Sequence, residues 1–132
     1  GKCYSLEKIN LSNFNTNNVI NMQQMFIGCQ LLKEINLANF NTSNVTVMQY
    51  MFSGCSSLKE IDLSNFNIDK VTNMVAMFSG CSSLKDINLS NFNIKKETGI
   101  RCMFSNCTNE LKMKVRAQIQ NISEEAFIKL GF

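Results

Sequence analysis

The chain has 132 residues, 45% hydrophobic and 17% charged, the length and balance of one folded domain. It contains no His, Pro or Trp, and the missing His excludes a Ser-His-Asp or Cys-His nucleophile and any His-containing metal site. The net charge of +3 is carried entirely by residues 93–132, because residues 1–92 hold six Lys and six acids; a balanced body with a basic end argues against a nucleic-acid partner.

The chain opens Gly1-Lys2-Cys3, with no initiator Met and no signal peptide, so it reads as a piece of a longer protein. No apolar run approaches the ~20 residues of a membrane span, so direct membrane insertion is not expected. Cys3 also starts a series, with Cys29, Cys55, Cys81 and Cys107 following at intervals of 26 residues and only Cys102 outside it. The interval recurs in Ile9, Ile35, Ile61, Ile87 and Met113, and in Leu11, Leu37, Leu63, Leu89 and Val115. Phe14, Phe40, Phe66 and Phe92 share it, as do the pairs Met25-Phe26, Met51-Phe52, Met77-Phe78 and Met103-Phe104. Self-similarity of this length marks a stack of repeats.

Within a unit the apolar period changes. Ile61 and Leu63 alternate, which predicts a short strand with one face buried. Ser64-Asn65-Phe66-Asn67 then turns the chain with Phe66 inward. Val71, Met74, Met77 and Phe78 follow at the spacing of a short helix or 3₁₀ segment, and Gly80 suits its end. One strand and one helical turn per 26 residues is the unit of a leucine-rich repeat. The expected fold is an α/β repeat: a solenoid of about five coils over residues 1–116, with a parallel β-sheet on one face and short helical or 3₁₀ segments on the other.

Toward the end the pattern degrades, with Glu97 in place of Val and Ile100 in place of Met. Residues 112–116 are expected as a last strand. Residues 117–132 read as a C-terminal cap, with a helix over 123–131 that has Ser123 as N-cap and Gly131 at its end. Ala126, Phe127 and Leu130 are expected to cover the core. No cap is visible at the start, so further coils are expected before Gly1, with homo-association through that end as an alternative.

The phrases Met77-Phe78-Ser79-Gly80-Cys81-Ser82-Ser83-Leu84-Lys85 and Ile87-Asn88-Leu89-Ser90-Asn91-Phe92-Asn93, preceded by Val71-Thr72-Asn73-Met74, resemble the BspA-type leucine-rich-repeat surface proteins. The resemblance covers about residues 3–115. It implies a cell-surface or secreted protein, often an adhesin, that binds host or other surface proteins, and it brings no catalytic motif with it.

The recurring residues have packing roles as their first reading. In-register thiols point the same way, with Cβ atoms farther apart than the ~3.8 Å of a disulfide, so a reduced ladder is expected. A Cys102–Cys107 bridge is the exception to test. The methionines are expected as core fillers, and the asparagines beside each Phe as a hydrogen-bonding ladder. No metal and no cofactor are expected.

Function is sought on the strand residues that face away from the core. One column is Lys8, Glu34, Glu60, Asp86 and Lys112; the next is Asn10, Asn36, Asp62, Asn88 and Lys114; a third is Ser12, Ala38, Ser64, Ser90 and Arg116. Like charges on adjacent strands cost stability, and Lys33, Lys59 and Lys85 are expected to relieve part of it. The candidate binding face is Glu34, Asn36, Glu60, Asp62, Asp86 and Asn88. Lys112, Lys114 and Arg116 read as charges protecting an edge strand. A uniform ladder lacks the two differently tuned acids of a glycosidase, so a non-enzymatic binding module for a protein partner is expected. The alternative is a passive spacer within a larger surface protein.

Overall fold

The computed structural model describes residues 5–130. Four short strands follow in chain order: β1 (Lys8–Ile9), β2 (Glu34–Ile35), β3 (Glu60–Asp62) and β4 (Asp86–Asn88). β1 pairs with β2 and β3 with β4, both in parallel. Lys8 lies opposite Glu34, Glu60 opposite Asp86, and Asp62 opposite Asn88, so each partner is 26 residues on. A second line of parallel bridges joins Asn21 to Val47, Val47 to Asn73 and Asn73 to Gly99 at the same interval. The sequence period is therefore the stacking register on both sides of the core.

The strands stop early because a turn follows at once. The amides of Phe40, Phe66 and Phe92 donate to the carbonyls of Leu37, Leu63 and Leu89 at 2.9–3.0 Å. Asn36, Asp62 and Asn88 support the same bend by accepting the amide two residues on, an Asx turn. The expected Asn ladder is present: the Asn65 side chain donates to the carbonyls of Leu37 and Phe40, each at 3.0 Å, in the preceding unit. Thr42 adds a rung, donating to the carbonyl of Asn67 at 2.9 Å and accepting its amide at 2.8 Å.

The expected helical turn over Val71–Phe78 is not formed. Alternate amides are committed to the neighbouring unit instead: Met48, Tyr50, Phe52 and Gly54 donate to the carbonyls of Asn73, Val75, Met77 and Ser79 at 2.8–3.0 Å. The amides of Met51, Ser53 and Cys55, each one residue after an inter-unit donor, donate three residues back and close successive turns. A helix needs consecutive amides to point along one axis, so it cannot coexist with this inter-unit ladder. The turns require positive φ, as in type II turns, at Tyr50 (56°) and Gly54 (79°) and again at Ala76 (54°) and Gly80 (77°). A Cβ on Gly54 would sit 3.4 Å from Gly28 Cα, so the glycine column also serves close stacking. Cys102, outside the cysteine series, occupies the other positive-φ column at 58°.

Between the two bridged sides lies the core. Phe26, Phe52, Phe78 and Phe104 form a continuous stack with ring centroids 5.4–5.5 Å apart. Phe40 and Phe66 make a parallel line at 6.4 Å. Met48, Met51, Met74, Met77 and Met103 are fully buried, as expected of gap fillers. Cys55, Cys81, Cys102 and Cys107 are free and buried, so the suggested Cys102–Cys107 bridge is absent. The thiols of Cys55, Cys81 and Cys107 donate to the carbonyls of Phe26, Phe52 and Phe78 at 3.2–3.3 Å. Cys29 is disulfide-bonded, which corrects the expected reduced ladder at that position, since a bridged sulfur has no S–H to donate. Cys3 lies outside the described residues.

The end of the chain departs from the expected strand. Residues Asn109–Gln118 form helix α1, capped by Thr108, whose hydroxyl accepts the Leu111 amide at 3.1 Å. Leu111, Met113 and Val115 alternate like a strand, but Leu111 and Val115 are also four apart, and the local cap selects that reading. Leu111 and Val115 are buried, whereas Met113 is left 71% exposed. After it, a 3₁₀ turn spans Glu124–Phe127 with Ser123 as N-cap, shorter than the expected helix; the Gly131 terminus lies outside the described residues. Its backbone accepts the amides of Cys102 and Phe104, Ala126 is fully buried, and Phe127 extends the aromatic stack at 5.9 Å from Phe104. Leu130 is half-buried, its amide donating to the Ser105 hydroxyl at 2.9 Å.

Candidate functional site

The pairing register places Glu34 beyond Lys8 and Asp86 beyond Glu60 on one exposed face. Ile61 and Ile87 turn inward between the flanking acids and amides, so the carboxylates project outward because the strand alternates. A shallow groove of about 460 Å³ runs along this face, lined by Glu34, Glu60, Asp62, Asp86 and Asn88 and closed at one end by Lys114 and Gln118. It continues past Glu34 into a second depression lined by Lys8, Asn10 and Asn36.

The two columns are not equivalent. Asn36, Asp62 and Asn88 each commit Oδ1 to an Asx turn, accepting the amides of Ala38, Ser64 and Ser90 at 2.9–3.0 Å. The Ser64 hydroxyl and amide together hold the Asp62 carboxyl below the usual carboxylate range. These three side chains are turn supports. The outer column of Glu34, Glu60 and Asp86 is not committed in this way.

Cations sit at both ends of that outer column. Lys8 Nζ lies 2.9 Å from Glu34 Oε1, and Lys114 Nζ lies 2.7 Å from Asp86 Oδ1. Both ammonium groups are raised above the usual lysine range, mainly by hydrogen bonds to those carboxylates. Lys114 also approaches Glu110 one helical turn back, at 3.5 Å. Among the described residues, Glu60 at the centre of the column makes no ion pair.

Relief by Lys33, Lys59 and Lys85 is not what occurs. Lys33 pairs at 3.6 Å with Glu7, and neither Lys59 nor Lys85 joins an ion pair among the described residues. Lys33, Lys59 and Lys85 stand one residue before β2, β3 and β4 and are themselves exposed. Lys114 reads from sequence as an edge-strand charge and Gln118 goes unnamed, because the segment reads as a strand. Their signal is the four-residue spacing Glu110, Lys114, Gln118, one face of a helix. Lys112 does not continue the first column, and Arg116 pairs with Glu124 at 2.8 Å and lies over the Phe127 ring.

Among the described residues, no cluster of three acids or thiols is arranged to hold a metal ion. No helix among them is long and apolar enough to cross a membrane. One family model, described as Mycoplasma protein of unknown function, DUF285, matches residues 2–117. No curated protein and no solved structure matches.

Proposed function

The chain belongs to the DUF285 family, and from that premise we propose that it is a non-enzymatic binding module, a leucine-rich-repeat solenoid of about five coils, that recognises a protein partner through its strand face. The MFSGCSSL-type phrases support the finer placement among the BspA-type surface proteins, and with it a cell-surface or secreted location. The partner surface it suits presents lysine or arginine side chains.

One observation carries this reading: the column Glu34, Glu60 and Asp86 already holds an ammonium group at each end, and its central carboxylate has no cation among the described residues. A flat array of exposed like charges is unfavourable alone, and complementary charge from a partner removes that cost while steering encounter. The alternating hydrogen-bonded turns behind it make the array rigid, so binding requires little ordering of the module.

The test is titration of a short oligolysine peptide and a matched oligoglutamate peptide, followed by pull-down from host-cell surface extract. Saturable, salt-sensitive binding of oligolysine is expected, and it should vanish in Glu34→Lys/Glu60→Lys/Asp86→Lys. Unchanged affinity in that variant would move the site off the strand face. Absence of saturable binding by the native chain to peptide, cells and matrix would leave the passive spacer as the better account.

A further inference from the structure

Helix α1 sits where the next strand of the sheet would lie, and its side chains make the bonds that such a strand would make. Inside the stack, the Lys59 carbonyl accepts the Lys85 amide at 2.9 Å, and the Leu63 amide donates to the Asn88 carbonyl at 3.1 Å. One unit on, the equivalent groups have no further strand. The Lys85 carbonyl accepts from Lys114 Nζ at 2.9 Å, and the Leu89 amide donates to Gln118 Oε1 at 2.7 Å. Gln118 Nε2 completes the set by donating to the Ile87 carbonyl at 2.7 Å. A primary amide carries one acceptor and two donors, so Gln118 can imitate a peptide group against this edge.

We propose that α1 is a strand surrogate that closes the β4 edge against a parallel strand from a second copy of this chain, the strand being β1 in a head-to-tail stack. The register identifies the occupant. Lys8 of β1 lies opposite Glu34 and pairs with it, and Asp86 holds the same column position as Glu34 on β4. Lys114 occupies at Asp86 the place that Lys8 of a second copy would take. Among the described residues, β1 pairs with β2 alone, as β4 pairs with β3 alone. Such a contact joins two different surfaces and adds copies in a row, which is the hazard an edge cover prevents. This assembly does not depend on what the strand face binds.

Lys114→Ala/Gln118→Ala tests it, since alanine preserves the helix while removing all three side-chain bonds to the β4 edge. Sedimentation velocity over a concentration series should show the native chain as one concentration-independent species and the variant as growing assemblies. The Leu89 amide should exchange at least about 5-fold faster in the variant, the factor set by one lost hydrogen bond. Adding Lys8→Glu to the variant should suppress the assemblies, because a carboxylate would then face Asp86. Gln118→Glu keeps the chain length and helix preference but loses the donor, and it serves if the double variant does not fold. A folded variant that sediments like the native chain would overturn the proposal, as would assembly that is indifferent to Lys8→Glu.

Discussion

Phe14 and Phe66 hold the same place in the repeat, each between two asparagines, yet Phe14 is 52% exposed and Phe66 only 1%. Nothing in the local sequence separates them; burial comes from the units stacked on either side. Phe66→Ala is therefore expected to cost about 3–5 kcal/mol, as for a large buried aromatic, and Phe14→Ala less than about 1 kcal/mol. Urea midpoints at constant slope measure both, and equal losses would contradict the packing described. The thiols make a second case. Burial pushes Cys55 and Cys107 up to about 11 and raises Cys81 well above the ordinary thiol value, with the flanking thiols adding to the effect of burial at Cys81. All three hold their protons more tightly folded than unfolded, so their contribution is complete below the ordinary thiol value of 9.0; that of Cys55 and Cys107 is lost as pH rises from there through about 11. Iodoacetamide at pH 8 should leave Cys55, Cys81 and Cys107 unmodified in the folded chain and alkylate them in urea, since the thiolate is the reactive form. The cysteine period was plain in the sequence. The carbonyl each thiol meets was not, because it lies 29 residues back on a turn that only the folded backbone defines.

At the scale of elements, reading the sequence succeeded where one period dominates and failed where two compete. The strands at Ile35, Ile61 and Ile87 follow from alternation and a turn residue after each Leu. In the segment after Met74, apolar spacing suggested a helix, but that spacing reports only which residues face inward. It carries no information on where amides point, and here alternate amides bond to the neighbouring unit. Residues 109–118 failed in the opposite sense, since Leu111, Met113 and Val115 satisfy both alternation and, without Met113, helical spacing. A cap decides such a tie. Thr108→Ala is expected to cost about 1 kcal/mol by removing the Leu111 hydrogen bond. Met113→Lys should change stability by less than about 0.5 kcal/mol, because the side chain is exposed. The corresponding Ile87→Lys buries a charge and should prevent stable folding. A large loss from Met113→Lys on thermal melting would restore the strand reading of this segment.

At the scale of the whole molecule, the candidate site was half legible: the acids in the outer column were identified from register alone, whereas the cations that finish it come from the ends of the stack. Lys8 belongs to the column by period, but Lys114 arrives by way of a helix that interrupts the period. The same logic makes the number of units adjustable. Each unit contacts its neighbours through 26-residue offsets, so removing residues 61–86 joins Glu60 to Ile87 without changing any register. Glu60 would then stand where Asp86 stood, within reach of Lys114, and Leu89 would still meet Gln118. The shortened chain is expected to unfold in one cooperative step with a denaturant slope lower by about a fifth, the share of surface that 26 of 132 residues expose. Removing only half a period, residues 61–73, places Met74 against strand neighbours and turns core residues outward, and that chain should not fold. If the two deletions behaved alike in urea and by circular dichroism, stacking at a fixed period would not be what holds this molecule together.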